Sequence, residues 1–485
     1  MGIRMSSNQF MYNYQVSLNK AYQNHAKLFE QADGASIHRP SDNAVDYSKL
    51  LRYNNSSIEN DQYQRNVKNA LSWMNTSDAA LVHITDIMKT FVTKSVDASN
   101  DSNNDADFAA IAKEMLAEIQ QVVAASNDQE GDRFIFSGQK DLVKPFSMSE
   151  TLVNRGLAKT LDSAQTLFFK DLVKDEQTEL TQFLTLQDKD QNYYYLDIEN
   201  GSIYSKDFVD SGYKDALATG GIEAIKTNED VVALRAGYVT SGVYNFENKS
   251  TYLPRTNTYT SAGSSPTYSS ATAFKISDHF DNRGVLITED ENGNAVQTYV
   301  TVTFVDSEGN LTYTTLGFTT VSQQIVNYYG DDKGISMIKL NGAADPVSDT
   351  VNVTGADLYG RDIFDNALSG NSVSGCAMLN NMLTVYAKTN AGDRHWMSSD
   401  GITLAKVTDN TLNIAETKLG ARGQLYNDVL TMLEKQETNI TEDITNVSST
   451  DVAKLAVQLM EMSTLYNMSL SMGGRILPQS LADYL

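Results

Sequence analysis

Five histidines (His25, His38, His83, His279 and His395) and the single cysteine, Cys376, are the residues from which a metal site or a nucleophile would be built. Zinc sites gather their ligands in close pairs along the chain. No two of these histidines, and no histidine with Cys376, stand at such a spacing. Cys376 follows Ser374-Gly375 and opens a helical pattern; with no paired histidine motif it reads as a small buried residue. A lone cysteine also excludes an internal disulfide. Asp188-Lys-Asp190-Gln-Asn192, with Glu199 closing the run, has the ligand spacing of a calcium loop. Its sixth position is Tyr193, where such loops need glycine, and Tyr193-Tyr-Tyr-Leu196 reads as a strand. A solvated turn is therefore favoured over calcium. The Ser369–Gly375 stretch and the other Gly/Ser runs match neither a nucleophile elbow nor a phosphate loop. No catalytic residue, cofactor or metal is expected, and the chain is not expected to be an enzyme.

The elements around these residues belong to a long acidic chain of 485 residues, with 38 Lys+Arg against 61 Asp+Glu and a net charge of −23. That length implies several domains. Hydrophobic content of 41% is ordinary for a folded protein. The acidic balance argues against binding nucleic acid, which needs a basic footprint, and against docking on anionic lipid. No run of about 18 apolar residues spans a membrane, and Met1–Phe10 lacks the apolar core of a secretory signal.

Helical periodicity frames a strand-rich middle. A helix is expected over 8–32, broken by Gly34, and a long one over 43–98 with Val67, Leu71, Met74, Leu81, Ile84, Met88 and Phe91 on one stripe. Ser41, after Pro40, is the expected cap of that long helix. Another helix over 106–126 should pack antiparallel to it. From about 145 to 365 the composition turns to Thr, Tyr, Asn and Gly. Val285–Thr288 and Val296–Val305 flank Asn292-Gly293 as a hairpin, Asp306–Asn310 makes the next turn, and 255–272 reads as an exposed loop. Residues 150–185 read as partly helical. Helices return near 376 and over 397–470, with a break near Asn446–Asp451. Val429, Leu433, Gln436, Ile440, Ile444 and Val447 stripe the part before that break. Gly473-Gly474 and Pro478 should stop the last helix. The fold class expected is α+β: an elongated rod of antiparallel long helices from both termini, as a coiled-coil bundle, with a strand-rich central insertion.

Met11, Tyr14, Leu18, His25 and Leu28 form one seam near the start of the chain. Val452, Leu455, Leu459, Met462 and Tyr466 form another near its end. A helix striped on one narrow seam gains stability only when something covers the seam. Either the two seams close one intramolecular bundle, or they become ordered between subunits. They are the candidate subunit-interface residues.

The run Gly34–Val45, with Arg39-Pro40-Ser41-Asp42 at its centre, resembles the N-terminal motif of the flagellin superfamily, in the form carried by its hook–filament junction branch. Arg65–Leu71 and Thr76–Leu81 continue the match. Gly131-Asp-Arg-Phe-Ile-Phe-Ser-Gly138, then Pro145-Phe146, is similar to the junction pattern rather than to filament flagellins. Leu419-Gly420-Ala-Arg422 and Gly473-Gly474-Arg-Ile-Leu477-Pro-Gln-Ser-Leu481 look like the C-terminal block. The resemblance covers about 1–146 and 362–485. It implies a structural axial protein of the bacterial flagellum, an adaptor between hook and filament. The partners it implies are the first hook-associated protein, flagellin and copies of the chain itself in a ring. It also implies an extracellular location, reached through the flagellar type III channel without a cleaved signal. The amphipathic C-terminal helix suggests a cytoplasmic export chaperone. The corresponding organisation is 1–42 with 446–485 as terminal, assembly-dependent coiled-coil segments, 43–145 with 366–445 as a helical rod, and 146–365 as one or two β-rich outer domains. That long centre is also typical of filament flagellins, which keeps a flagellin with a large outer domain as the alternative.

Overall fold

The computed structural model describes residues 7–100, 102–173, 182–198, 203–206, 209–210, 275–290, 292–305, 311–337, 350–367 and 376–476. The expected loop at 255–272, the turn at Asp306–Asn310, Glu199, Leu477, Pro478 and Leu481 lie outside the described residues, as does the side chain of Met11. The architecture is α+β, with long helices from both ends of the sequence and antiparallel sheets between them. The chain divides into two compact units, residues 1–69 with 426–485 and residues 70–425.

In the first unit, helix α1 (Ser7–Glu30) packs on helix α7 (Val452–Ile476). The start of α2 (Ala44–Ala98) runs beside the end of α6 (Ile402–Ser448). Ser36 meets Ser448 while Asn60 Nδ2 donates to the Leu433 carbonyl at 3.1 Å, so sequence rises along one strand of the pair and falls along the other. Gln64 donates to Glu437 Oε2 at 2.7 Å. Glu437 thus holds the inner position expected of Gln436, which is exposed. The glycine pair does not stop α7, which continues through Gly473 and Gly474 to Ile476. Glycine costs about 1 kcal/mol in a helix but clashes with nothing.

In the second unit, α2 and α3 (Asp105–Ala125) are tied by Lys94 and Glu114; Leu81, Ile84, Met88 and Phe91 on α2 and Phe108, Met115, Ile119 and Val122 on α3 are buried. Leu71 lies only half-buried on the expected stripe. Asn104 caps α3 with a capping box to Asp107. The six-stranded sheet runs β8-β7-β6-β10-β9, with β5 also on β6. Its strands are β5 (Ala158–Thr160), β6 (Gln182–Gln187), β7 (Tyr193–Leu196), β8 (Ile203–Ser205), β9 (Tyr299–Val305) and β10 (Leu311–Phe318). One face buries Leu184, Leu186, Leu196, Ile203 and Leu316 against Phe280 and Phe364. The other packs Phe183 and Tyr204 on Phe169, and Phe169 on Phe168, from α4 (Ser163–Val173). Three two-stranded pairs add β1 (Gln129–Glu130) with β2 (Arg133–Phe134), β3 (Phe146–Met148) with β12 (Val326–Tyr328), and β4 (Val153–Gly156) with β11 (Thr320–Gln323).

The hairpin expected around Asn292-Gly293 is short: the Val296 amide donates to the Thr288 carbonyl at 2.8 Å and one bridge joins Glu289 to Ala295, while Val285 and Leu286 bridge Arg155 and Phe280 instead. Asp290 closes that turn by accepting from the Asn292 and Asn294 amides at 2.8 Å. The extended ladder is β9 with β10, from Val305↔Leu311 to Tyr299↔Gly317. Asp188 makes the same kind of turn. It accepts from the Asp190 and Asn192 amides at 2.8 Å, so the calcium-like spacing serves a β6–β7 connection.

Arg155 on β4 is 3% exposed and pairs with Asp362, 5% exposed, at 2.5 Å. Its guanidinium also donates to Asn381 Oδ1 at 3.1 Å, Thr384 Oγ1 at 3.2 Å and the Arg283 carbonyl at 3.0 Å. Both acceptor side chains stand on α5 (Ala377–Asn390). Burial pushes the Asp362 carboxyl above its ordinary range, against the pull of Arg155. Arg155→Leu should strand that carboxyl and destabilise this unit by about 3–5 kcal/mol. Urea unfolding checks this; an unchanged midpoint would mean the network is dispensable.

Candidate assembly surface

The connector after α1 ends that helix through Gly34, at φ +99°, and then lies against the connector between α6 and α7. Ala35 bridges Ser449, the Ser36 amide donates to the Ser448 carbonyl at 2.6 Å, and the Thr450 amide donates to the Gly34 carbonyl at 3.1 Å. Two breaks in the helical pattern, more than 400 residues apart in sequence, are thus one hydrogen-bonded joint. Asp451 caps α7 through the Lys454 amide at 3.0 Å.

The Arg39-Pro40-Ser41-Asp42 motif follows this joint and ties the connector back to α1. Asp42 Oδ2 accepts from the His38 amide at 3.1 Å and the Arg39 amide at 3.0 Å, while Oδ1 meets Lys27 Nζ at 3.0 Å. Arg39 reaches Glu30 at 2.5 Å. Lys27 first, then the two amides, hold the Asp42 carboxyl down at about 2. The cap of α2 is Asn43, whose Oδ1 accepts from the Val45 and Asp46 amides at 3.1 and 3.2 Å; Ser41, the expected cap, lies two residues too early.

The two apolar seams meet each other inside the chain. Tyr14 Oη donates to the Ser469 carbonyl at 2.6 Å, and His25 stacks on Tyr466 with centroids 6.1 Å apart. Leu18, Leu28, Leu459, Met462 and Tyr466 are half-buried and Leu455 is buried, whereas Val452 is exposed. A second apolar set, missed in the sequence reading, is left uncovered by the described chain. Tyr12, Val16, Tyr22 and Phe29 on α1 belong to it, with Val457, Met460, Leu465, Met468 and Met472 on α7. Met460 is 74% exposed and Phe29 69%. The signal was present in the sequence: 457, 460, 465, 468 and 472 also follow a helical stripe. An exposed apolar surface of this kind marks an interaction site.

The remaining motif residues lie in the second unit. Gly138, at φ +71°, admits Asp331, whose carboxylate accepts from the Gln139 amide at 2.7 Å; a Cβ at 138 would strike it. Phe146 is buried between Tyr328 and Tyr359, with centroids at 4.9 and 5.1 Å, and Asn127 clamps its amide and carbonyl. The Pro145 carbonyl accepts from Tyr329 at 2.8 Å. Arg422 donates to the Asn352 carbonyl at 3.3 Å. Gly420 faces open space, so sterics do not require glycine there. Cys376 is buried, with Sγ 3.2 Å from the Val326 carbonyl. No helix among the described residues is long and apolar enough to cross a membrane.

Residues 5–141 match the bacterial flagellin N-terminal helical region. Among curated proteins, flagellar hook-associated protein 3 of Salmonella typhimurium strain LT2 is 26% identical over 167 residues, 33% of this chain and 53% of that protein. The match thus spans about half the length of that relative. Among solved structures, FlgL of Xanthomonas campestris is 13% identical, with 81% of this chain and 99% of that chain covered at a TM-score of 0.32. The flagellar junction protein FlgL of Legionella pneumophila is 10% identical, with 79% and 99% covered at a TM-score of 0.29.

Because the Asp42 carboxyl is depressed in the folded chain, its contribution to stability is present above the ordinary value of 3.8 and lost as pH falls toward about 2. Asp42→Asn should remove it at neutral pH and loosen the joint. Hydrogen exchange of the Ser36 and Thr450 amides should then quicken about tenfold, with α3 unchanged; equal exchange would show that Asp42 does not hold the joint.

Proposed function

We propose that this chain is a structural axial protein of the bacterial flagellum, an adaptor that joins hook to filament. Its aligned sequence likeness to hook-associated protein 3, together with the Arg39–Asp42 and Gly138–Phe146 motifs, supports this reading over a filament flagellin. The single observation that carries the mechanism is the uncovered apolar face on paired α1 and α7. Covering each such side chain contributes roughly 1.5–3 kcal/mol, enough in sum to order a ring of subunits. The work is mechanical: one side of the terminal pair fits the first hook-associated protein, another fits flagellin, and copies of the chain close a ring. In this reading segments 1–42 and 446–485 form the inner layer, 43–145 with 366–445 the helical layer around it, and 146–365 the outside. The seam residues Tyr14, Leu18, His25, Leu28, Leu455, Leu459, Met462 and Tyr466 hold α1 to α7, and this pairing presents the outer face, with the exposed Val452, to neighbouring subunits. No bond is made or broken in this role, so it is not enzymatic. The chain reaches the exterior through the flagellar export channel, and a cytoplasmic chaperone shields the C-terminal helix before export.

Two experiments test this. Antibody raised against residues 150–360, used for immunogold microscopy of intact flagella, should label a single band where hook meets filament. Label along the whole filament would make this a flagellin. Met460→Asp with Met468→Asp should abolish incorporation while leaving the seam side of α7 intact, and normal flagella from that double variant would remove the face from the mechanism. For the chaperone, a pull-down from cytoplasm with the chain lacking 446–485 should lose a partner that the full chain retains; retention by both would sink the idea.

A further inference from the structure

Lys159, within the unit formed by residues 70–425, stands on a sheet face that is otherwise aromatic. It lies opposite Phe183 across β5 and β6, and Tyr195 on β7 shares that face. All three are buried, Lys159 to 5% exposure. The centre of the Tyr195 ring is 5.9 Å from Lys159 Nζ. Two carboxylates reach this ammonium: Asp400 meets it directly, and Asp210 lies 3.2 Å away.

Each carboxylate is positioned from a different element. Asp400 belongs to a π-helical turn, Met397–Gly401, that runs into α6. Turns of that kind recur at functional sites. Asp210 follows Val209, whose carbonyl accepts from the buried Gln165 Nε2 of α4 at 3.1 Å. The Asp400 side chain is 12% exposed and that of Asp210 29%, so protons from solvent reach Asp210 more readily. As a structural tie this trio is poor, because ions are costly to bury and apolar residues of like volume hold such a site as well. As a reaction site it is apt. An amine and a carboxyl held in contact react as though at very high concentration, and a site that excludes water protects an amide from hydrolysis.

We infer that Lys159 and Asp400 condense to an intramolecular isopeptide bond, with Asp210 as the proton carrier. Lys159 Nζ first passes one proton to the Asp400 carboxylate, which leaves a free amine beside a neutral carboxyl. The nitrogen lone pair attacks Asp400 Cγ and the C–N bond forms. Asp210, carrying a proton, gives it to the departing hydroxyl and takes one from the nitrogen. The C–O bond breaks and water leaves. The ammonium and carboxylate have become an amide and one water, and Asp210 ends as it began. Burial works against the Lys159 charge, but Asp400 and then Asp210 outweigh it and hold the ammonium above the ordinary lysine range. The proton therefore leaves by moving within the trio, where the carboxylate that accepts it loses its own charge. A cavity of about 40 Å³ borders Asp400 and Tyr195, room for about one water, and receives the molecule released. The amide ties β5 to the turn that opens α6, 241 residues away in sequence. The strand-rich centre then cannot be peeled from that helix without breaking a covalent bond.

Mass spectrometry of the full chain, purified and held folded at neutral pH before denaturation, tests this. The parent should be lighter than its sequence by the mass of one water, and its digest should contain a branched peptide joining Lys159 to Asp400. Lys159→Arg keeps the charge but removes the amine, and should carry its full mass. Asp210→Asn should form the link about a hundredfold more slowly. Whether or not the variants fold, the parent's mass and branched peptide decide the main point. A parent at full mass would leave an ion pair only and overturn the bond, as would a water loss mapped to other residues. A link formed in Asp210→Asn at the parent's rate would overturn the part given to Asp210.

Discussion

A guanidinium taken out of water must have its N–H groups answered, and Arg155 meets that demand by drawing on three separate parts of the chain. Asp362 supplies the charge, Asn381 and Thr384 supply side-chain oxygens from α5, and the Arg283 carbonyl completes the set. The Phe364 ring lies 5.1 Å from the guanidinium carbon and closes one side. These partners come from the strand-rich centre and from the helix that follows it, so a single buried charge fixes the register between them. Apolar packing alone would tolerate sliding; a fork of donors with fixed directions does not. Gly284 adds a steric version of the same constraint, because a Cβ there would collide with Phe364.

At the other unit the governing constraint is different. The joint between Gly34–Ser36 and Ser448–Thr450 is made of backbone hydrogen bonds, with carboxylates and small hydroxyls around it. Beyond it the helices are held by a seam of aromatic and aliphatic side chains, and the seam is only half-buried. A pair of helices that leaves as much apolar surface outside as inside has little stability of its own.

Much of this was legible in the sequence. The stripes that bury Val67, Met74, Leu81 and Phe91, and those that bury Leu433 and Ile440, follow helical spacing closely enough to be read directly. The break before Asp451 and the strand at Tyr193 were equally plain. What could not be read was which partner covers which face. Spacing identifies Leu455 and Leu459 as one side of a helix, but pairing across 455 residues depends on tertiary geometry, and the competing stripe through Met460 and Met468 has the same period. The Asn292-Gly293 hairpin stays short for a related reason. Turn chemistry was right, but Val285 and Leu286 find their bridges at Arg155 and Phe280 rather than across the turn.

The bond from Tyr14 to Ser469 has a consequence for the order in which the molecule takes shape. Contacts between residues so far apart in sequence close the largest loop a chain can offer, and that loss of freedom is compensated only once everything between is in place. A chain that emerges from its N-terminus therefore presents α1 long before α7 exists to receive it. For most of the synthesis of the chain between them the first helix is an orphan, and a segment made 455 residues later gives it its partner.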